Sequence, residues 1–236
     1  MKIFFNGDSN TQGSELYYAI QDAYPYKLAE LFNAEIVDNP ALGGASNDRI
    51  IRTTEEYLRK CAETKDYPDL IVIGWSEPNR SDWFVNGKYE SLYSEDFPPV
   101  KAHKLNDERA KYFTQDWRHH SIEYVMTQYY HERIFNLHQH LDYLKIPHLF
   151  FNAVNSFNTL IEWHKPFAGE LHNYEFFKHE WNDCFWNPYE EVGSFLEWGK
   201  ENGYEKTQYH HLKEDAHDHF AKVLFDYITD KSLLTS

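Results

Sequence analysis

Ser9 stands where a strand-like run of apolar residues gives way to a helical pattern, and a serine in that position can act as a nucleophile. The run Lys2 to Phe5 is followed by Gly7-Asp8-Ser9-Asn10, a stretch typical of a tight turn. At the carboxyl end of a parallel strand a side chain points into the crevice where open α/β sheets bind ligands. The next helix presents free N–H groups there, and these groups favour negative charge.

Three further stretches occupy comparable positions along the chain. A loop containing Gly43-Gly44 follows a second short strand, Trp75-Ser76-Glu77 follows a third strand, and His211 precedes the last predicted helix. Taken alone, Gly-Asp-Ser is equally explained as a turn in which Asp8 or Ser9 only caps a helix. The functional interpretation depends on the four stretches being brought together.

The order of elements predicts how they are brought together. Strand patterns near residues 2–6, 34–38, 69–74 and 148–153 alternate with helical patterns near 49–61, 120–144 and 214–229. This alternation predicts a three-layer α/β/α sandwich with a mostly parallel sheet. We expect one domain over residues 1–236, with loop and helical insertions at about 79–118 and 155–188 that lie at the carboxyl edge of the sheet and form walls or a lid.

The four stretches, in this order, resemble the sequence blocks of the SGNH (GDSL-type) hydrolases. The resemblance implies a flavodoxin-like fold and hydrolysis of an ester, with Ser9 as the nucleophile and His211 as the base. It also implies an oxyanion hole formed by the backbone N–H groups of Ser9 and Gly44, because a residue without Cβ lets the reacting carbonyl approach. The family mechanism needs no cofactor or metal, and the substrate expected here is a small-molecule or glycan ester.

The third block departs from the family pattern. The family has an asparagine whose side chain is the third oxyanion donor, and Ser76 occupies that position here. Serine can donate one hydrogen bond but is shorter, and loss of such a donor typically lowers the rate about a hundred- to thousandfold. Asn79 and Arg80 are near enough in sequence to act as substrate or anion contacts instead. For Arg80, a solvated surface position is the alternative interpretation.

The fourth block departs in a second way. An aspartate usually stands three residues before the catalytic histidine, and here that residue is Gln208. Gln208 can accept a hydrogen bond from the imidazole and orient it but carries no charge, and an amide in place of the acid lowers kcat about ten-thousandfold in a serine protease. Taking His210 as the base places Thr207 at the acid position, which is no better. A Ser-His dyad, a backbone carbonyl or a carboxylate from elsewhere, such as Glu205, would each restore part of the activity.

The composition is acidic, since 38 Asp and Glu against 23 Lys and Arg give a formal net charge of −15. This charge opposes binding to nucleic acid or to an anionic membrane, so a neutral or cationic ligand is expected. No apolar run approaches the length of a membrane span, and Met1-Lys2 leads directly into a strand without a signal-peptide pattern. These features predict a cytoplasmic protein and do not indicate its oligomeric state.

The cysteines and histidines point to structural roles. Cys61 and Cys184 lie far apart in sequence and are expected to be reduced. Close to the last helix are five possible metal ligands, namely His210, His211, Asp215, His217 and His219. A spacing of two puts the last three on different sides of a helix, so a metal site is not expected there. The histidines of the long helical segment are expected on its polar face; they are His131, His138 and His140.

Two functions of different classes fit these residues. The first is a serine-dependent esterase that acts through Ser9 and His211. The second is an inactive module of the same fold with a binding or structural role, which the replacements at Gln208 and Ser76 favour. Aromatic residues make up 18% of the chain, and those in the predicted insertions are suited to contact glycans or partner proteins.

Overall fold

The structure, a computed structural model, describes residues 1–85, 88–93, 120–168 and 176–235. The strands in this part of the chain are β1 (Lys2–Asn6), β2 (Glu35–Asp38), β3 (Leu70–Trp75), β4 (Arg80–Val85), β5 (Lys88–Tyr93) and β6 (His148–Asn152). The helices are α1 (Ser9–Gln12), α2 (Ala19–Asp22), α3 (Tyr24–Leu31), α4 (Asn47–Thr64), α5 (His120–Leu144), α6 (Phe157–Ala168), α7 (Phe195–Glu201) and α8 (Glu214–Asp230). A short 3-10 turn follows at Leu233–Thr235.

Four strands form one parallel sheet in the order β2-β1-β3-β6, which confirms the predicted α/β class. β3 and β6 are buried along their whole length, which explains the continuous apolar run of β3 and the three apolar residues between His148 and Asn152 in β6. Counted along the chain, the order 2-1-3-4 is that of flavodoxin-like sheets. In a flavodoxin-like sheet a fifth strand lies beside the fourth. In this protein the segment around Cys184 and Trp186 occupies that place beside β6. Phe150 N–H donates to Cys184 O and Trp186 N–H donates to Phe150 O, each at 2.8 Å.

Helices cover both faces of the sheet, so the predicted three layers are present. Alternate residues of a strand point to opposite faces, and accordingly Phe5 lies in one core and Phe4 in the other. On the first face α3 packs against α8, with the rings of Tyr24 and Phe220 edge to face at 5.9 Å. On the second face α4 and α5 supply the apolar side chains Ile50, Leu58, Ile134 and Leu141.

Local signals set the helix ends. α5 covers the predicted segment, and Pro25 lies in the first turn of α3, where a fixed φ is favourable. α7 begins at Phe195, because Ser194 caps it by accepting a hydrogen bond from Glu197 N–H at 3.2 Å.

The two predicted insertions contain regular structure where the structure describes them, a hairpin in the first and a helix in the second. β4 and β5 form an antiparallel hairpin, and Asp82 in β4 accepts hydrogen bonds from Ser46 Oγ at 2.9 Å and Arg52 Nη2 at 3.0 Å. These contacts attach the hairpin to the start of α4. The second insertion includes α6. The predicted loops at 94–118 and 169–175 lie outside the described residues.

The histidines of α5 do not share a polar face, because residues 176–189 cover part of this helix. The exposed fractions of His131 and His138 are 0% and 2%, and of the three predicted polar-face histidines His140 alone is exposed. Burial, together with the neighbouring His179, lowers the pKa of His131 to about 3, so its ring is neutral. Among the described helices, none has both the length and the apolar character needed to cross a membrane.

Candidate active site

Ser9 is the first residue of α1 and follows Asp8, the residue that caps this helix. Asp8 Oδ1 accepts a hydrogen bond from Asn10 N–H at 2.9 Å. A Cβ on Gly7 would lie 2.0 Å from Thr11 Oγ1, so only glycine fits this turn. Ser9 is 8% exposed, and within the described part of the chain its hydroxyl has no hydrogen-bond partner. The turn therefore presents a hydroxyl that is not used to hold the fold.

Asp8 is fully buried, and its second carboxylate oxygen faces Arg80. Arg80 Nη1 lies 3.2 Å from Asp8 Oδ2 and 2.8 Å from Ser76 Oγ. The Ser76 hydroxyl is directed at the same Asp8 oxygen, at 3.4 Å. The side chain of Arg80 is 16% exposed, so it is not the solvated surface residue that the sequence allowed. Instead it balances a buried negative charge beneath the Ser9 turn.

Asn47 holds Ser76 in place, a role that sequence reasoning missed. Asn47 Oδ1 accepts from Ser76 N–H and Asn47 Nδ2 donates to Ser76 O, both at 2.9 Å. An amide side chain has one donor group and one acceptor, so it can satisfy both backbone groups of one residue. The sequence feature that could have indicated this role is an asparagine directly after the helix cap Ser46 and close to the glycine loop.

The Gly43-Gly44 loop lies beside Ser9. A Cβ on Gly43 would lie 4.0 Å from Ser9 Cβ and 3.1 Å from Gln12 Oε1. Gly43 N–H donates to Gln12 Oε1 at 2.7 Å, so this amide is occupied. Gly44 has a left-handed φ of 76°, and its N–H makes no hydrogen bond to a described residue. Of the two glycines, Gly44 is the one with an N–H group available to a ligand.

His211 has a carboxylate partner, and that carboxylate belongs to Glu15. His211 Nδ1 lies 2.6 Å from Glu15 Oε2, and the two side chains are each 20% exposed. An ionised carboxylate only accepts hydrogen bonds, so Nδ1 carries a hydrogen, and in the neutral imidazole the lone pair is then on Nε2. Glu15 lies on the segment between α1 and α2, so the stretch that carries Ser9 also carries the partner of His211.

The chain around Glu15 is built to hold this contact. Glu15 has a left-handed φ of 68°, which is uncommon for a residue with a side chain. Thr207 Oγ1 donates to Glu15 Oε2, and Tyr209 N–H donates to Glu15 Oε1 at 3.3 Å. Partial burial raises the pKa of the Glu15 carboxyl, but hydrogen bonds from Thr207, His211 and Tyr209 outweigh it and bring the pKa below its ordinary value. The carboxylate is therefore ionised at neutral pH.

The residues proposed from sequence as helpers of His211 lie elsewhere. Gln208 is exposed, and the hydrogen bond expected from it is made by Glu15 instead, because the Thr207–His211 turn directs the imidazole towards the α1–α2 segment. Glu205 forms an ion pair with Lys213. Asn79, which the sequence suggests as a substrate or anion contact and not as a helper of His211, is partly buried in the turn between β3 and β4.

His217 is a structural residue in this arrangement. Its exposed fraction is 1%, and its Nδ1 accepts a hydrogen bond from Tyr24 N–H at 3.2 Å. Burial, with a smaller effect of the nearby His211, lowers the pKa of His217 to about 3. A neutral His217 thus connects α8 to α3, and of these two histidines it is His211 that faces a carboxylate.

Removing Arg80 tests whether it balances the buried charge of Asp8. We expect Arg80→Ala to lower the free energy of unfolding by about 3 kcal/mol, because a buried carboxylate is left unpaired. Urea unfolding measures this change. Lys222→Ala breaks an exposed ion pair with Asp218 and should cost less than about 0.5 kcal/mol. Equal effects of the two substitutions would contradict the role assigned to Arg80.

Three solved structures are similar to almost the whole length of this chain. The chain is similar to a solved protein of the G-D-S-L family from Desulfitobacterium hafniense DCB-2, at 14% identity and a TM-score of 0.46 over 98% of both chains. It is also similar to a two-domain esterase (CEX) active on acetylated mannans, at 14% identity and a TM-score of 0.46, over 98% of this chain and 49% of that one. A member of the lipolytic protein G-D-S-L family from Veillonella parvula DSM 2008 gives 12% identity and a TM-score of 0.42 over 98% and 97%.

No curated protein matches the chain. One family model does, and it covers residues 5–235, from within β1 to the 3-10 turn. The chain therefore belongs to DUF6071, which is described as a family of unknown function.

Proposed function

We propose that this protein is a serine-dependent ester hydrolase of the SGNH type, with Ser9, His211 and Glu15 as its catalytic triad. The observation that carries the proposal is the 2.6 Å hydrogen bond between His211 Nδ1 and Glu15 Oε2. It supplies the carboxylate that the family pattern requires and that Gln208 cannot provide. The same residues 1–236 are proposed to form one SGNH-like domain.

In this proposal Glu15 fixes the tautomer of His211. With the Nδ1 hydrogen held by the carboxylate, Nε2 is the atom that accepts a proton from the nucleophile. The negative charge of Glu15 then stabilises the imidazolium that forms. Its lowered pKa keeps Glu15 charged throughout the pH range in which an imidazole titrates.

The reaction is acyl transfer in two steps. Ser9 Oγ attacks the acyl carbonyl while His211 takes its proton, and the C–O bond to the alcohol breaks as His211 returns that proton to the leaving oxygen. Water then attacks the acyl-enzyme with His211 again as base, which releases the acid and restores Ser9. The elements of one water molecule are consumed, and no cofactor is needed.

Two backbone donors are proposed to bind the oxyanion. They are the N–H groups of Ser9, at the amino end of α1, and of Gly44, whose N–H is available. The Ser76 hydroxyl can act as a third donor only by turning away from Asp8. Arg80 is less suited to this task than the sequence indicated, because its Nη1 pairs with Asp8.

Exposed aromatic side chains beside the triad favour a glycan ester as substrate. Tyr17 and Tyr18, just after Glu15, are 84% and 57% exposed, and Tyr209, whose N–H binds Glu15, is 70% exposed. Exposed tyrosine rings can stack on the apolar faces of sugars and hydrogen-bond through their hydroxyls. A neutral ester also suits a chain with a net charge of −15.

The first experiment is hydrolysis of p-nitrophenyl acetate by the wild type, Ser9→Ala and His211→Ala. Both variants should lose at least about a thousandfold in kcat, because the residues of a triad act as a unit. Ser14→Ala, a change of the same size in the next turn, is the control and should retain activity. Equal rates in the wild type and Ser9→Ala would contradict the enzyme and favour the alternative of an inactive binding module.

A second experiment separates Glu15 from Gln208 as the partner of His211. Glu15→Gln should lower kcat about a hundred- to thousandfold with little change in KM, since the charge that stabilises the imidazolium is lost while substrate contacts remain. Gln208→Ala should change kcat less than about twofold, because this side chain is exposed. Rates measured over pH 5 to 9 give both parameters. The opposite ranking would show that Gln208 orients the imidazole.

A further inference from the structure

Four possible metal ligands meet at the edge of the sheet opposite Ser9. They are His138 and Asp142 on α5, His148 at the start of β6, and Cys184 in the loop that lies beside β6. One ligand atom from each lies within 4.8 Å of the others. His148 begins a parallel strand, whereas Ser9 follows the end of one, so this cluster is separate from the proposed triad.

The two histidines already point nitrogen atoms at each other. His138 Nδ1 lies 2.8 Å from His148 Nε2, and the exposed fractions of these residues are 2% and 1%. His148 Nδ1 lies 2.9 Å from the carbonyl oxygen of Ile146, to which it donates. Its Nε2 therefore carries the lone pair. A ligand histidine whose other nitrogen donates to a backbone carbonyl is the usual arrangement in metal sites.

The main chain places Cys184 beside them. Phe150 N–H donates to Cys184 O at 2.8 Å, and Phe150 lies on the same face of β6 as His148. The preceding residue, Asp183, has a left-handed φ of 62° and accepts from Tyr227 Oη at 3.0 Å through its carbonyl and from Lys231 Nζ at 2.7 Å through its side chain. Helix α8 thus holds the loop that carries the thiol.

Asp142 completes the set and lies next to solvent. Its Oδ2 is 3.4 Å from His138 Nε2, the nitrogen that does not face His148, and its side chain is 43% exposed. One of its oxygens is still within 4.8 Å of a ligand atom of each of the other three residues. A cleft of about 340 Å³ is lined by Asp142, His148 and Cys184, which gives an ion a route to the cluster.

The donor set is that of a zinc site. Two imidazoles, a thiolate and a carboxylate are common zinc ligands, and a thiolate disfavours calcium and magnesium. Zn–N bonds of about 2.05 Å in a tetrahedron place two nitrogens roughly 3.3 Å apart. The two nitrogens here are 2.8 Å apart, so the rings must separate by about half an ångström to admit the ion. One thiolate and one carboxylate also balance the charge of a divalent ion.

We infer that His138, Asp142, His148 and Cys184 bind one zinc ion in a structural site that joins α5, β6 and the Cys184 loop. Four protein ligands leave no open position for a substrate, so the ion stabilises the fold instead of catalysing a reaction. This inference does not depend on the proposed esterase activity.

Metal binding by the full-length protein tests the inference directly. Chelator-treated protein, kept reduced, is titrated with Co²⁺ and then with Zn²⁺. We expect one Co²⁺ per chain with a thiolate-to-cobalt absorption band, displacement by Zn²⁺, and a higher Tm with Zn²⁺ bound. Cys184→Ser and His138→Ala should weaken binding at least about a hundredfold. Cys61→Ser, which removes the other cysteine, and His140→Ala, on the same helix as His138, are the matched controls.

Wild-type protein alone gives a second readout, which covers the case of variants that do not fold. Zn²⁺ should slow alkylation of Cys184 by iodoacetamide, as followed by peptide mass, and leave Cys61 unchanged as the internal control. Absence of one-to-one binding, equal binding by wild type and a folded Cys184→Ser, or equal alkylation of Cys184 with and without Zn²⁺ would each overturn the inference.

Discussion

The hydrogen bond between Glu15 and His211 is the contact on which the candidate site depends. It joins residues separated by 196 positions in the chain, so it exists only when the segment after β1 meets the segment before α8. The packing of α3 against α8 brings these segments together. In that interface Tyr24 N–H donates to His217 Nδ1, and the rings of the two residues stack with centroids 6.1 Å apart.

The floor of the site is held by a different kind of interaction. Asp8 caps α1 with one carboxylate oxygen and meets Arg80 and Ser76 with the other. Burying this carboxylate is unfavourable unless it is paired and hydrogen-bonded, and all of these partners are needed to satisfy it. The turn that orients Ser9 is thereby coupled to β3 and to the start of β4. The same residues that the family pattern suggests as oxyanion contacts are partly used to hold the turn.

Much of the fold follows from local patterns in the sequence. β3 is a continuous apolar run because both of its faces are covered, and α5 has the apolar period of a helix along its length. The Gly7-Asp8-Ser9 turn could also be predicted, because it depends on a steric requirement between residues close in sequence. The role of Glu15 could not, because it depends on a left-handed backbone and on partners near residue 207. The burial of His131 and His138 was likewise missed, because the segment that covers them is distant in sequence.

The two sites place different demands on the same sheet. Its carboxyl edge carries Ser9, Gly44 and Ser76, whereas its amino edge carries His148 next to Cys184 and the α5 ligands. A zinc ion at the amino edge would strengthen the attachment of α5 and α8 to β6. Because α8 begins just after His211, the helix that contacts the Cys184 loop also adjoins the candidate active site.

Covalent labelling by a fluorophosphonate tests the central claim most directly, since this reagent phosphonylates only a serine that an adjacent base activates. We expect one adduct per chain in the intact mass, located on the peptide that contains Ser9, and no adduct in His211→Ala. Failure of the wild type to react, or labelling of Ser9 at the same rate in His211→Ala, would contradict it.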